Sequence, residues 1–118
     1  MNYKVKMLSF IKESKDNIPL LYEDEDELYI KAAQKAHDLV YSIMELRFQN
    51  ELRQYNNNEE RAYDEFIARK NLEYLRVYIE EFMLLNIDES EIEFYRLVRK
   101  HMRYLLNDLY LLVNGKLE

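Results

Sequence analysis

Two histidines are the residues of this chain best suited to acid–base or metal chemistry, because the sequence contains no cysteine. In helical bundles that bind two metal ions, each ligating histidine stands three residues after a glutamate. Gln34 stands three residues before His37, and Val98 stands three residues before His101. We therefore expect no metal site and no cofactor, and we interpret both histidines as partly buried structural side chains.

Arg96 and His101 form a second arrangement with catalytic potential, five residues apart on one predicted helix. The spacing resembles the Arg-x4-His motif of HEPN-type ribonucleases, which are helical proteins of similar length. That resemblance implies RNA cleavage across a dimer, with His101 as the base for a ribose 2′-hydroxyl and Arg96 stabilising the phosphate. Leu97 follows the arginine, where that family usually has a polar residue. A ribonuclease or toxin is therefore the alternative, and we predict a protein that is not an enzyme.

Four basic residues share one side of the same predicted helix, opposite its apolar positions. This basic stripe consists of Arg96, Arg99, Lys100 and Arg103. One interpretation is a solvated face whose charges are balanced by nearby acids such as Glu93. The other is a surface that docks an acidic protein or a nucleic-acid backbone. Because the whole chain has a net charge of −6, we expect contact with nucleic acid through this stripe at most.

Tyrosine is frequent, with 11 residues and no tryptophan, and so many tyrosines do not fit inside one small core. At a helix edge, tyrosine supplies apolar contact area and a polar hydroxyl at little entropic cost, as interfaces require. We predict that four tyrosines bind a partner together with the basic stripe, namely Tyr63, Tyr74, Tyr78 and Tyr104. The expected partners are protein subunits, in a homo-oligomer or a hetero-oligomer.

Helices must position these residues, because one glycine and one proline leave few turns for a β-sheet. The clearest helix has apolar residues at alternating spacings of three and four from Ile92 to Leu112. Before it, Asp88 and Glu91 have the spacing of a capping box, and Gly115 follows as a stop signal. A second line beside the first predicts contact with two neighbouring elements, and it consists of Phe94, Leu97, His101, Tyr104 and Leu111.

Three further helices are predicted upstream. The first covers Tyr3–Glu13 as a candidate lid, and the second runs from Leu28 to about Tyr55. Five acids at 23–27 precede the second helix. One interpretation is that they interact favourably with the positive end of the helix dipole, and the other is that they dock a basic partner. The third begins near Asn58, and its predicted core positions are Ala68, Leu72, Leu75, Ile79 and Phe82. A short link at residues 86–88 makes the last two helices antiparallel.

These patterns predict an all-α protein with a single domain over residues 1–118, an antiparallel bundle of four to five helices. The chain is long enough to bury a core of its own. It has no run of the roughly 20 apolar residues that a membrane span needs, and lysines interrupt its first eleven residues too often for a signal-peptide core. We expect a cytoplasmic protein without membrane contact.

Three segments, in order, resemble the helical domain of GINS-family subunits. Ile18–Leu21 is similar to the proline-leucine segment before that family's first long helix. Arg69–Leu75 is similar to its Arg-x-Arg-Leu-x-Lys-Ile helix, with Asn71 and Tyr74 at positions that are basic in the family. Residues 87–94 are similar to the Leu-Ser/Thr-x-x-Glu start of its last helix, with Asp88 in place of the hydroxyl residue.

The resemblance implies a scaffold without catalysis. GINS subunits form a four-subunit assembly that bridges the MCM helicase motor and a RecJ-like partner, and many carry a small β-rich second domain that 118 residues do not accommodate. We therefore predict a non-enzymatic protein-interaction module of a DNA replication helicase complex. A helical regulator from a phage or mobile element, which blocks a partner's surface, is a further alternative that the residues do not separate from the first.

Overall fold

The computed structural model describes residues 3–54, 65–84 and 87–115. These residues form five α-helices and no strand: α1 Tyr3–Asp16, α2 Ile18–Leu21, α3 Glu27–Gln54, α4 Glu65–Glu81 and α5 Ile92–Val113. Two short 3₁₀ helices adjoin them, Phe82–Leu84 after α4 and Glu89–Glu91 before α5. The predicted all-α bundle is confirmed.

The predicted antiparallel pairing of the last two helices is also confirmed. Glu80 near the end of α4 bonds to Arg99 in the second turn of α5, whereas Arg69 near the start of α4 bonds to Asn114 just after α5. Between these ends, the Tyr110 hydroxyl donates to a Glu73 carboxylate oxygen at 3.1 Å. Polar contacts therefore follow the hairpin along most of its length.

The longest helix, α3, is antiparallel to α4 and packs most extensively against α5. Glu51 of α3 contacts Lys70 of α4, and Arg47 lies over the ring of Tyr74 one turn further along. Because α4 is antiparallel to both of its neighbours, α3 and α5 run in the same direction. The α1 helix packs on α3 and closes the core with two fully buried side chains, Met7 and Ile11.

The core is built from faces that the sequence pattern largely predicts. All five predicted core positions of the third predicted helix are buried, four in α4 and Phe82 just after it, and so is the α5 stripe from Val98 to Leu112. On α3, Ala32, Ala33 and Ala36 are fully buried, which allows neighbouring helices to approach closely. Each large side chain removed from water here contributes roughly 1.5–3 kcal/mol of transfer free energy.

The prediction that a second apolar line of α5 is buried is only partly correct. Tyr104 and Leu111 belong to the predicted line, yet both are exposed. Leu106 and Val113 lie outside both predicted lines, yet both are buried in the core. The difference arises because α4 covers the flank of α5 that carries Tyr110, and this flank includes Leu106 and Val113.

Helix ends follow the capping signals with some shifts. The first helix continues three residues beyond Glu13, and Pro19 lies in the first turn of α2, where its missing amide hydrogen costs nothing. Asp26 of the acid run accepts a hydrogen bond from the Tyr29 amide at 2.9 Å and so caps α3. Asp88 accepts from the Ser90 amide at 3.2 Å and caps the 3₁₀ turn before α5.

The predicted start of the third long helix near Asn58 lies outside the described residues. Within the described ranges, no helix combines the length and the apolar character that a bilayer crossing requires.

Candidate interaction site

The basic stripe occupies the first half of α5. Its four side chains line a surface depression of about 370 Å³ together with Tyr104, which is 48% exposed. The structure therefore brings five of the predicted partner-binding residues together. Helical spacing causes this grouping, since these positions recur every three or four residues.

Glu80 of α4 organises one side of the stripe. Arg103 Nη2 donates to both carboxylate oxygens of Glu80, at 2.7 and 2.8 Å. Arg99 Nη2 donates to Oε2 of the same carboxylate at 2.9 Å, and its Nε donates to the Ile79 carbonyl at 3.3 Å. Hydrogen bonds from Arg103 hold the pKa of Glu80 below its usual range, so the carboxylate remains charged near neutral pH. Glu80 thus fixes both guanidinium groups.

The other two cations lie on the outer side of the stripe. Arg96 donates to Glu93 at 3.1 Å, as the solvated-face interpretation predicted. Lys100 has no ion pair with any described residue, and its Nζ lies 5.8 Å from the centre of the Tyr104 ring. Four cations therefore face two carboxylates, which leaves an excess of two positive charges on this surface.

Two of the predicted tyrosines lie elsewhere. Tyr74 is six positions from Glu80 on α4, which places it about 240° around the helix and next to Arg47 of α3. Tyr78 is half-buried beside Phe82, with 6.1 Å between their ring centres. Neither joins the basic stripe. The fourth predicted tyrosine, Tyr63, lies outside the described residues.

The structure does not bring Arg96 and His101 together. Five positions on a helix correspond to about 140° of rotation, so the exposed guanidinium and the imidazole point to different sides. His101 is only 2% exposed, and burial lowers its pKa to about 4. This imidazole is neutral near pH 7 and inaccessible to an RNA strand.

His101 instead lies inside an aromatic cluster. Its ring centre is 4.6 Å from that of Tyr29, 5.7 Å from that of Tyr22 and 5.9 Å from that of Tyr104, all in edge-to-face geometry. Its Nε2 is buried without a hydrogen-bond partner. The cluster joins the connection before α3 to the middle of α5, so His101 has a packing role and is more deeply buried than the sequence predicted.

His37 forms a contact that sequence reasoning missed. Its Nδ1 lies 2.8 Å from the Ala33 carbonyl oxygen, which can only accept, so Nδ1 carries the hydrogen. Burial lowers the pKa of His37, and its unprotonated Nε2 accepts from the Ser14 hydroxyl at 2.9 Å. These two bonds have the order found for a nucleophile and its base.

A groove of about 480 Å³ between α1 and α3 borders this pair. His37 and the salt bridge between Lys15 and Asp38 line the groove, but Ser14 does not. The hydrogen bond between Ser14 and His37 joins α1 to α3. Because Ser14 does not line the groove, we interpret the pair as a link between the two helices.

A buried charged group near the end of α3 also escaped prediction. Glu51 is 1% exposed, and its Oε1 lies 3.5 Å from Nη2 of Arg47 and 3.4 Å from Nζ of Lys70. Its other oxygen and the fully buried side-chain amide of Asn71 have no hydrogen-bond partner. The i,i+4 spacing of Arg47 and Glu51 was the one local signal, but the contribution of Lys70 depends on how α4 packs.

Comparisons with protein-family models, with curated proteins and with solved structures each find no match to this chain. Among the described residues, no three histidine or acidic side chains lie close enough to hold a metal ion. The basic stripe with Tyr104 is accordingly the candidate interaction site.

Proposed function

We propose that this chain is a non-catalytic protein-binding module, and that the basic stripe with Tyr104 docks an acidic surface of its partner. The observation that carries the proposal is the excess positive charge around an exposed tyrosine, on a chain whose net charge is −6. Such a patch attracts an acidic partner, and the tyrosine supplies apolar contact area.

Preorganisation supports the same proposal. Glu80 holds the side chains of Arg99 and Arg103 in place before any partner arrives. Immobilising a long side chain at an interface costs about 0.5–1.5 kcal/mol, and part of that cost is already met within the fold. Lys100, which has no ion pair among the described residues, remains available for a partner's carboxylate.

A protein surface fits the stripe better than a nucleic-acid backbone. From Arg96 to Arg103 the helix rises only about 10 Å, which spans few phosphates. Two of the four cations already share Glu80, and the chain as a whole repels polyanions. Binding to a mixed-sequence duplex at low salt is the outcome that would favour nucleic acid instead.

The test uses the double variant Arg96→Glu/Lys100→Glu, because both side chains are exposed and neither bonds to α4. Tagged wild-type protein and the variant are used to capture partners from cells of the source organism. The captured protein is then purified, and the Kd of its complex with wild type is compared with the Kd of its complex with the variant. We expect a weakening of about tenfold or more, larger at low salt than at high salt. The control Lys12→Glu/Lys35→Glu makes the same charge change on exposed positions of α1 and α3. Equal Kd values for variant and wild type would refute the proposal.

Within this proposal, the GINS resemblance names a specific partner, the replicative helicase assembly. Its support is confined to the order of the three sequence segments: Ile18–Leu21 precedes α3, Leu72 and Leu75 are core residues of α4, and Asp88 precedes α5. Co-expression with the MCM subunits of the source organism tests it. Absence of a stable complex would remove the replication assignment and leave the broader proposal standing. A complex that blocks its partner's activity would support the regulator alternative.

A further inference from the structure

Exposed apolar residues occur in α2, at the start of α3 and beside the basic stripe. Leu20 and Leu21 of α2 are 74% and 69% exposed, and Leu28 and Tyr104 are each close to half exposed. We call these four residues the leucine–tyrosine patch. Leu21 and Leu28 directly adjoin the two tyrosines that contact His101, and Tyr104 contacts the same imidazole. Tyr104 is therefore a member of one aromatic cluster, and Leu21 and Leu28 are chain neighbours of two of its other members, with Leu20 next to Leu21.

Three acids directly follow Tyr22 of that cluster in the chain. Glu23, Asp24 and Glu25 form the exposed turn between α2 and α3, and their carboxylates have no hydrogen bond or ion pair with any described residue. The other two acids of the run are accounted for, because Asp26 caps α3 and Glu27 pairs with Lys31 at 2.9 Å. We call Glu23–Glu25 the acidic turn.

The aromatic cluster separates the acidic turn from the basic stripe within one molecule. Tyr22 directly precedes the turn, and the groups follow in the order Tyr22, His101, Tyr104 and Lys100, with separations of 5.7, 5.9 and 5.8 Å. The face around this cluster thus carries unpaired negative charge next to Tyr22, excess positive charge next to Tyr104, and exposed apolar side chains.

We propose that the partner of this face is a second copy of the same chain, which deepens the proposed function and rests on it. A two-fold rotation about an axis near Tyr104 puts the acidic turn of each copy against the basic stripe of the other, and the two leucine–tyrosine patches meet between them. Such an isologous interface makes each charge contact twice.

Repulsion argues against partners of a single charge sign. A uniformly acidic surface on the stripe would also meet Glu23–Glu25, and a uniformly basic surface on the turn would also meet Arg96 and Lys100. Like charges brought together at an interface are strongly unfavourable, so a partner that covers both the turn and the stripe needs both signs in the rotated order. A second copy has that arrangement by symmetry.

The test is a charge swap read out by molar mass in light scattering and sedimentation. The stripe variant is Arg96→Glu/Lys100→Glu, and the turn variant is Glu23→Lys/Glu25→Lys. Wild type should have twice the 14.6 kDa chain mass, with a dissociation constant that rises with salt. Each variant alone should dissociate about tenfold or more readily, because it opposes like charges at both contacts. An equimolar mixture should form a heterodimer, because both contacts then join opposite charges again.

Several results would overturn the inference. These are a monomeric wild type at every concentration tested, a wild-type dimer that survives both reversals, and folded variants that fail to associate when mixed. Far-UV circular dichroism checks folding, and the Lys12→Glu/Lys35→Glu control, with the same change in net charge, should remain dimeric. If the wild type is monomeric but the stripe variant no longer binds a partner captured from cells, the second copy is refuted as the partner. The protein-binding proposal then still stands.

Discussion

Replacing His101 by leucine should remove a pH-dependent loss of stability. In the folded chain burial lowers the pKa of His101 from 6.5 to about 4. As pH falls below 6.5, the unfolded chain takes up this proton before the folded chain does, so unfolding becomes more favourable. The loss begins near pH 6.5 and is complete below about pH 4. It amounts to about 2 kcal/mol at pH 5 and about 3 kcal/mol at its limit.

His101→Leu keeps a side chain of similar volume and removes the buried Nε2 that has no partner. Leaving such an atom unsatisfied costs about 1–3 kcal/mol, whereas the edge-to-face contacts with the tyrosines contribute about 0.5–1.5 kcal/mol each. We therefore expect the variant to be close to wild type in stability at pH 7.5. Between pH 7.5 and pH 5, wild type should lose about 2 kcal/mol more of its free energy of unfolding than the variant loses.

Urea unfolding followed by far-UV circular dichroism at several pH values measures this difference, since the chain is helical and has no tryptophan. His37 is present in both proteins, but its charge also lowers the pKa of His101, so the two titrations are coupled and His37 must be followed as well. Titration of the two histidines by NMR provides a direct check. Parallel stability curves for wild type and variant between pH 7.5 and 5 would refute the assignment of a buried, neutral imidazole.

Four further substitutions, one of them a matched control, test other contacts. Ser14→Ala removes the hydroxyl that donates to His37 and should lower the free energy of unfolding by about 1–2 kcal/mol in urea titrations; an unchanged midpoint would show that the bond contributes nothing. Met44→Ala at a fully buried position should cost about 2–5 kcal/mol, and exposed Leu46→Ala less than about 1 kcal/mol; equal losses would contradict the described packing. Glu80→Gln should destabilise the protein slightly, more at low salt than at high salt. The pKa of Glu80 is lowered from 4.5, so the stability that its carboxylate contributes is present above pH 4.5 and is lost as pH falls through the lowered pKa. Wild type and variant should therefore approach the same free energy of unfolding in acid. A difference in unfolding free energy that does not change with pH would contradict the ion pairs.

Local spacing explains which parts of the fold could be predicted. Val98, Met102 and Leu105 recur on one side of a helix, so their burial follows from the sequence alone. Contacts between helices depend also on how each helix is rotated and shifted against its neighbours. Ser14 and His37 are 23 positions apart, and no local pattern pairs them.

The same distinction applies to the candidate site. Tyr104 joins Lys100 because both lie on α5 at a spacing of four. The separation of Tyr74 from them depends on the rotation of α4, which the apolar stripe of that helix sets only approximately. Within the acid run, charge alone did not distinguish Asp26, which caps α3, from its exposed neighbours.

The uneven attachment of α1 has a consequence for amide exchange. Two side chains of α1 are buried completely, Met7 and Ile11, whereas eight residues of α5 are buried. Detaching α1 would therefore expose less apolar surface than separating α5, and it would require less free energy than global unfolding. Backbone hydrogens of α1 should exchange with solvent through this partial opening while those of α5 stay protected. In the opened form, the surface of α3 beneath Ile11 becomes exposed to solvent.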